Sequence, residues 1–98
     1  MPRSTIARIR DRIRQRQYDM SAHAMDEMAE DGLDILDMES AVLQGKITRT
    51  ARDDPRGTTY VIEGVAADRH TPVGVVGRFA GPGRYLVITV YVISAEDL

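Results

Sequence analysis

The stretch SAHAMDEMAEDG, residues 21–32, sets a histidine two positions after a serine in a segment crowded with acids. His23 is one of only two histidines in the chain. Imidazole exchanges protons near neutral pH, which makes His23 the first candidate for acid–base chemistry. Arg56 and Arg78 can hold phosphate through paired donors, and Thr89 and Tyr91 can position a group or donate a proton. Together these residue types suit RNA cleavage without metal. That reaction uses the RNA's own 2′-hydroxyl as nucleophile, and it needs a base, an acid for the leaving oxygen and a cation for the phosphorus-bound charge. The rival account of His23 is structural: a ring that packs on nearby methionines and bonds to backbone.

Other chemistries find little to use. Cysteine is absent, which removes disulfides, thiolate catalysis and cysteine-bound zinc. There is no phosphate-binding loop, no G-x-S-x-G and no H-x-x-x-H pair. His23 and His70 lie far apart, and Asp53–Asp54 fall where solvated turn aspartates are expected. No metal or cofactor is expected. With one Phe and four Tyr the chain is poorly equipped as a stacking platform for single-stranded RNA.

Charge is segregated along the chain. Residues 1–17 hold six arginines and one acid, whereas residues 19–39 hold eight acids and no lysine or arginine. One reading has the basic and acidic helices pack side by side and neutralise each other. The sharper one has an arginine face of Arg8, Arg12 and Arg16, joined by Arg69, that meets RNA phosphate or an acidic protein.

The elements that must position these residues follow from period and punctuation. Ile6, Ile9 and Ile13 fall at helical spacing behind Ser4 as N-cap, which predicts a helix over 4–16. Tyr18 to Met20 read as an extended link. Ser21 caps a second helix over 22–31, with Ala22, Met25, Met28 and Ala29 inward and Gly32 as a left-handed stop. Asp34 begins a third over 35–44, with Met38, Ala41, Val42 and Ile35 facing the core and Gly45 ending it. Beyond Gly45 the period becomes two, and KITRTAR, TTYVIEGVA, PVGVVGRFA and RYLVITVYVI predict four strands, the last central. The fold class is α+β: three N-terminal helices packed on a four-stranded, mostly antiparallel sheet, in one domain spanning 1–98. The opening MPRSTIARIR has no apolar run of signal-peptide length, and a cytoplasmic protein away from membranes is expected.

The final hairpin can be taken further. Leu86, Ile88, Val90 and Val92 alternate with Tyr85, Val87, Thr89 and Tyr91. An even loop, for instance of two residues, puts Val73, Val75 and Phe79 with the aliphatic set and keeps Arg78 out of the core. Arg78, Thr89 and Tyr91 then share the face turned away from it.

YDMSAHAMDEMAEDGLDILDMESAVLQGKI, then DDPRGTTYVIEGV and a closing VITVY, resembles the bacterial family called domain of unknown function 4258. The similarity runs from about Tyr18 to Tyr91, and S-x-H-A is its most specific part. Ser21, His23, Ala24 and Met28 match, as do Gly32, Gly45, Arg56, Gly57, Tyr60, Gly64, Arg69, Thr89, Val90 and Tyr91. Two arginines usual in the helix after the histidine are replaced by Glu27 and Asp31, and a strand histidine by Gly74. The family in turn resembles RelE-like toxins and the barnase-like and colicin-like RNase folds. The resemblance implies a RelE-like domain and the toxin half of a toxin–antitoxin pair, with a cognate antitoxin, commonly a small zinc-finger protein, as partner.

Two functions follow. One is a toxin-type ribonuclease that cleaves RNA without metal. The other is a non-catalytic binding module of the same fold, which meets a protein or nucleic acid through its charged helices; self-association is compatible with either.

Overall fold

A computed structural model describes residues 3–94. Three helices, α1 (Thr5–Arg14), α2 (Ala22–Glu30) and α3 (Ile35–Gln44), accompany five strands: β1 (Tyr18–Met20), β2 (Lys46–Ala51), β3 (Thr59–Val65), β4 (Pro72–Phe79) and β5 (Tyr85–Val92). They form one mixed sheet in the order β1-β5-β4-β3-β2, in which only β1 and β5 pair in parallel. No helix among the described residues is long and apolar enough to cross a membrane.

The helix ends obey local chemistry. Ser4 and Ser21 accept from the backbone N–H groups of Ala7 and Ala24. Asp34 and Asp37 form a reciprocal capping box that satisfies two N–H groups at the start of α3. Past α2, Gly32 takes φ 69°, and the N–H groups of Gly32 and Leu33 return to the carbonyls of Ala29 and Met28.

The three helices lie on one face of the sheet. Ile9, Ile13, Met38, Ala41 and Val42 bury against Ile62, Val73, Val75, Val87 and Val90. The backbone of Gly64 approaches α3 so closely that a Cβ there would collide with the Ala41 carbonyl. Glycine at 64 thus sets how tightly α3 seats on β3.

Several expectations need correction. Tyr18–Met20 is a strand, not a link, because its backbone pairs with Tyr85–Val87 while Tyr18 and Met20 join the core. The sheet therefore has five strands rather than four and contains a parallel pair. The central strand is β4. In α2 the buried line is Ala24 and Met28, while Met25 is 51% exposed and Ala22 and Ala29 are also exposed. Ile35 likewise faces solvent. Only a narrow i, i+4 line of α2 can face the core, because the helix is tied to β5 at both ends.

The β4–β5 loop is five residues, 80–84, with Phe79 opposite Tyr85, not an even loop. Tyr85 is fully buried and meets the Phe79 ring edge to face at 5.3 Å. A bulge at Ile88 then restores Val90 to the core side. An even loop would hold only if β5 alternated without this bulge. Arg78, Thr89 and Tyr91 nevertheless share the outer face, now with Leu86 beside them.

Gly64→Ala is expected to destabilise the protein by about 2–3 kcal/mol through overpacking, lowering Tm by roughly 10 °C or more. Thermal unfolding followed by circular dichroism checks this; an unchanged Tm would mean that α3 can shift off β3 at little cost.

Candidate functional site

Among the described residues no helix covers the other face of the sheet, and the register sorts its side chains into rows. One row is Lys46, Glu63, Gly74 and Tyr91; the next is Arg49, Val61, Val76 and Thr89; a third is Ala51, Thr59, Arg78 and Leu86. Arg49 belongs here because of a bulge at Thr48 in β2. Simple alternation would send Arg49 to the same side as Ile47, toward the core.

Across the first two rows lies a cleft of about 330 Å³, lined by Thr48, Arg49, Val61, Glu63, Tyr91 and Ile93. Gly74 makes room for one of its walls: a Cβ at this position would run into the phenol of Tyr91, so that ring lies across β4 in the space a side chain would fill. Neither Arg49 nor Glu63 has a charged partner among the described residues. A cation and a carboxylate, neither with a charged partner among the described residues, thus stand in one concavity beside a phenol.

The residues expected to act together are divided into three places. Thr89 and Tyr91 stand on this outer face. Arg78 lies at its end, where Nη1 donates to the Arg56 carbonyl at 3.4 Å. The Arg56 guanidinium itself reaches both carboxylate oxygens of Asp54, from Nε at 3.3 Å and Nη2 at 3.4 Å. The backbone N–H of Arg56 and then its side chain hold the Asp54 carboxyl below the usual range.

His23 sits in the first turn of α2 with its side chain 66% exposed, and it does not line the cleft. Its Nε2 lies 3.1 Å from Oε1 of Glu27, within ion-pair reach but not aligned as a hydrogen bond. The Ser21 hydroxyl donates to the Ile88 carbonyl at 2.7 Å, and Asp31 accepts from the backbone N–H of Val92 at 3.3 Å. The line His23, Glu27, Asp31, four residues apart each time, therefore follows the edge of β5. Ser21, two residues before His23, bonds to Ile88, the residue that precedes Thr89.

The arginines of α1 and of its flanks occupy the opposite, helical side. Arg8 stacks over the Phe79 ring at 4.5 Å, Arg12 reaches Gln17 with its Nε buried, and Arg16 lies 3.9 Å from Glu39. Arg10 donates to the Gly45 carbonyl at 2.7 Å, at the C-terminal end of α3, and Arg3 pairs with Asp11. The basic helix is thus partly neutralised, through α3 and its own Asp11. Arg69 stands apart in the β3–β4 turn with φ 66°.

Arg49 and Glu63 were missed by sequence reasoning. The alternation in TTYVIEGVA already set Glu63 opposite Tyr60 and Ile62, on the outer face. Nothing in KITRTAR announced the bulge that brings Arg49 to it.

The Arg8, Arg12 and Arg16→Gln triple variant is expected to lose roughly 1 kcal/mol, or about 4–8 °C in Tm, from lost stacking and pairing. Its RNA affinity should keep the wild-type salt dependence; a flatter slope would instead place phosphate on α1. In the β3–β4 turn, Asp68 accepts from the Thr71 hydroxyl at 2.6 Å and from the Thr71 and His70 N–H groups, which hold its pKa to about 2. Because that pKa is depressed, the contribution of Asp68 to stability is present above pH ~4 and fades as pH falls through about 2. Carboxyl NMR should find this low midpoint, and Thr71→Ala should raise it.

Comparison with known proteins found no match among curated proteins or solved structures. The profile described as Domain of unknown function (DUF4258) matches residues 20–92, from the last residue of β1 to the last of β5. The cleft apart from Ile93, α2 and nearly the whole sheet fall within that match, and the chain belongs to this family.

Proposed function

We propose that the protein is a toxin-type ribonuclease of RelE-like character, which cleaves RNA without metal and is held in check by a cognate antitoxin, in kind a small zinc-finger protein. The carrying observation is the outer sheet face, which no helix covers among the described residues and which bears a cleft whose Arg49 has no acidic partner among them. An RNA strand laid across that face meets Arg78 at one end, Thr89 and Tyr91 beneath it, and His23 at the β5 edge. Attack by the 2′-hydroxyl leaves a 2′,3′-cyclic phosphate and a 5′-hydroxyl.

The second reading, a non-catalytic binding module, draws on one observation. Beside His23 stand Glu27 and Asp31, which repel phosphate and engage the imidazole and the Val92 N–H.

The test is purified protein, free of antitoxin, incubated with RNA in EDTA. Cleavage with cyclic-phosphate ends is expected, and none with 2′-O-methyl RNA. His23→Ala should slow cleavage about tenfold or more at unchanged Tm, since the ring is exposed. Arg78→Gln should flatten the salt dependence of binding by about 0.7 in log–log slope, the value of one phosphate on a single strand. RNA left intact by wild type would overturn this reading in favour of the binding module.

A further inference from the structure

Glu63, Gly74 and Tyr91 are consecutive partners across three strands. The middle position has no side chain, and the phenol of Tyr91 extends over it from β5 toward β3. The backbones of Glu63 and Tyr91 are two strand spacings apart, about 10 Å, so the two side chains approach a common centre from opposite sides. Arg49 is the diagonal neighbour of Glu63 on the adjoining strand, within reach of the same centre. All three line the cleft, whose remaining walls include the apolar Val61 and Ile93. A cleft of about 330 Å³ lies at the small end of ligand-sized sites, enough for a ribose and its phosphate.

We propose that this cleft is the catalytic site, with Glu63 as base, Tyr91 as acid and Arg49 as the cation on the phosphoryl oxygens of a bound RNA phosphodiester. The assignment rests on the ribonuclease reading; it keeps Tyr91 from the arrangement around His23, adds Glu63 and Arg49, and leaves His23 to contact the strand at the β5 edge rather than to act as the base. The Glu63 carboxylate takes the proton of the 2′-hydroxyl as that oxygen forms its bond to phosphorus. The bond from phosphorus to the 5′-oxygen breaks, and the Tyr91 phenol gives its proton to the departing oxygen. Cyclic phosphate and 5′-hydroxyl leave the site, and solvent carries the proton from Glu63 back to Tyr91. Arg49 offers two donors to the charge that grows on the equatorial oxygens. No metal is required at any point of this sequence.

The glycine is part of the device. Gly74→Ala leaves the β4 backbone able to pair as before but pushes the phenol off its place, so Gly74 acts as a positioning residue for Tyr91.

The test measures cleavage of a short RNA in EDTA by wild type and by Glu63→Gln, Tyr91→Phe, Arg49→Gln and Gly74→Ala, with Tm recorded for each. Glu63→Gln should lower kcat about 100-fold or more with KM little changed, and should abolish the acid limb of the pH–rate profile. Tyr91→Phe should lower kcat comparably and remove the alkaline limb. Arg49→Gln should raise KM as well as lower kcat, with Arg49→Lys recovering part of the loss. Gly74→Ala should follow Tyr91→Phe rather than unfold. If wild type cleaves RNA and Glu63→Gln stays within about twofold of it, this site is overturned while the ribonuclease reading stands. If Glu63→Gln is slow but keeps the wild-type acid limb, Glu63 is not the base and the assignment is likewise overturned. If wild type leaves RNA intact, both fall together.

Discussion

The edge of β5 is closed by a segment that arrives as strand and departs as helix. Tyr18–Met20 pairs with Tyr85–Val87 in parallel, the Ser21 N–H donates to the Val87 carbonyl, and the Ser21 hydroxyl donates to Ile88 while also capping α2. At the far end, Asp31 takes the N–H of Val92. One serine therefore ends a strand, begins a helix and satisfies a carbonyl on the strand beside it. Arg84 secures the entry by binding both carboxylate oxygens of Asp19 and the Tyr18 carbonyl. Without this seam α2 has little to hold it, since only Ala24 and Met28 are buried on it.

From that seam follows the division of the molecule into two sides. All helical packing is drawn to one face, where α1 and α3 share the core with the sheet. The outer face keeps its charged and hydroxylated residues, ordered into rows by register. The two sets of arginines that look alike in the sequence are thereby separated: those of α1 stack and pair among helices, whereas Arg49 and Arg78 stand on the outer face.

Much of this was legible in the residues. Ser4, Ser21 and Asp34 announced the helix starts, Gly32 the end of α2, and the change of period after Gly45 the main strands. The outer grouping of Arg78, Thr89 and Tyr91 was expected from alternation with an even loop, whereas the structure reaches it through a five-residue loop and the bulge at Ile88, which leave Tyr85 and Val87 in the core. What was hidden has common physical causes. A three-residue strand such as Tyr18–Met20 has no period of its own and exists only through its partner. Bulges at Thr48 and Ile88 shift alternation by one residue without a sequence signature. The space above Gly74 depends on which strand Tyr91 faces, so neither the cleft nor its pairing of Arg49 with Glu63 could be drawn from any one segment.

The bulge at Thr48 has a second effect, at the opposite border of the sheet. β2 is an outermost strand, and the far side of its backbone carries no neighbouring strand among the described residues. Such a border is a ready template for another chain to add itself, in the manner that leads to fibrils. Here the irregularity interrupts the even spacing of free N–H and C=O groups, while Lys46, Arg49 and Arg52 set like charges along the same short stretch. A second copy approaching in register would bring those charges face to face. The feature that turns Arg49 toward the cleft thus also makes this border a poor template for strand addition, which matters for a small protein with so much valine and isoleucine in its sheet.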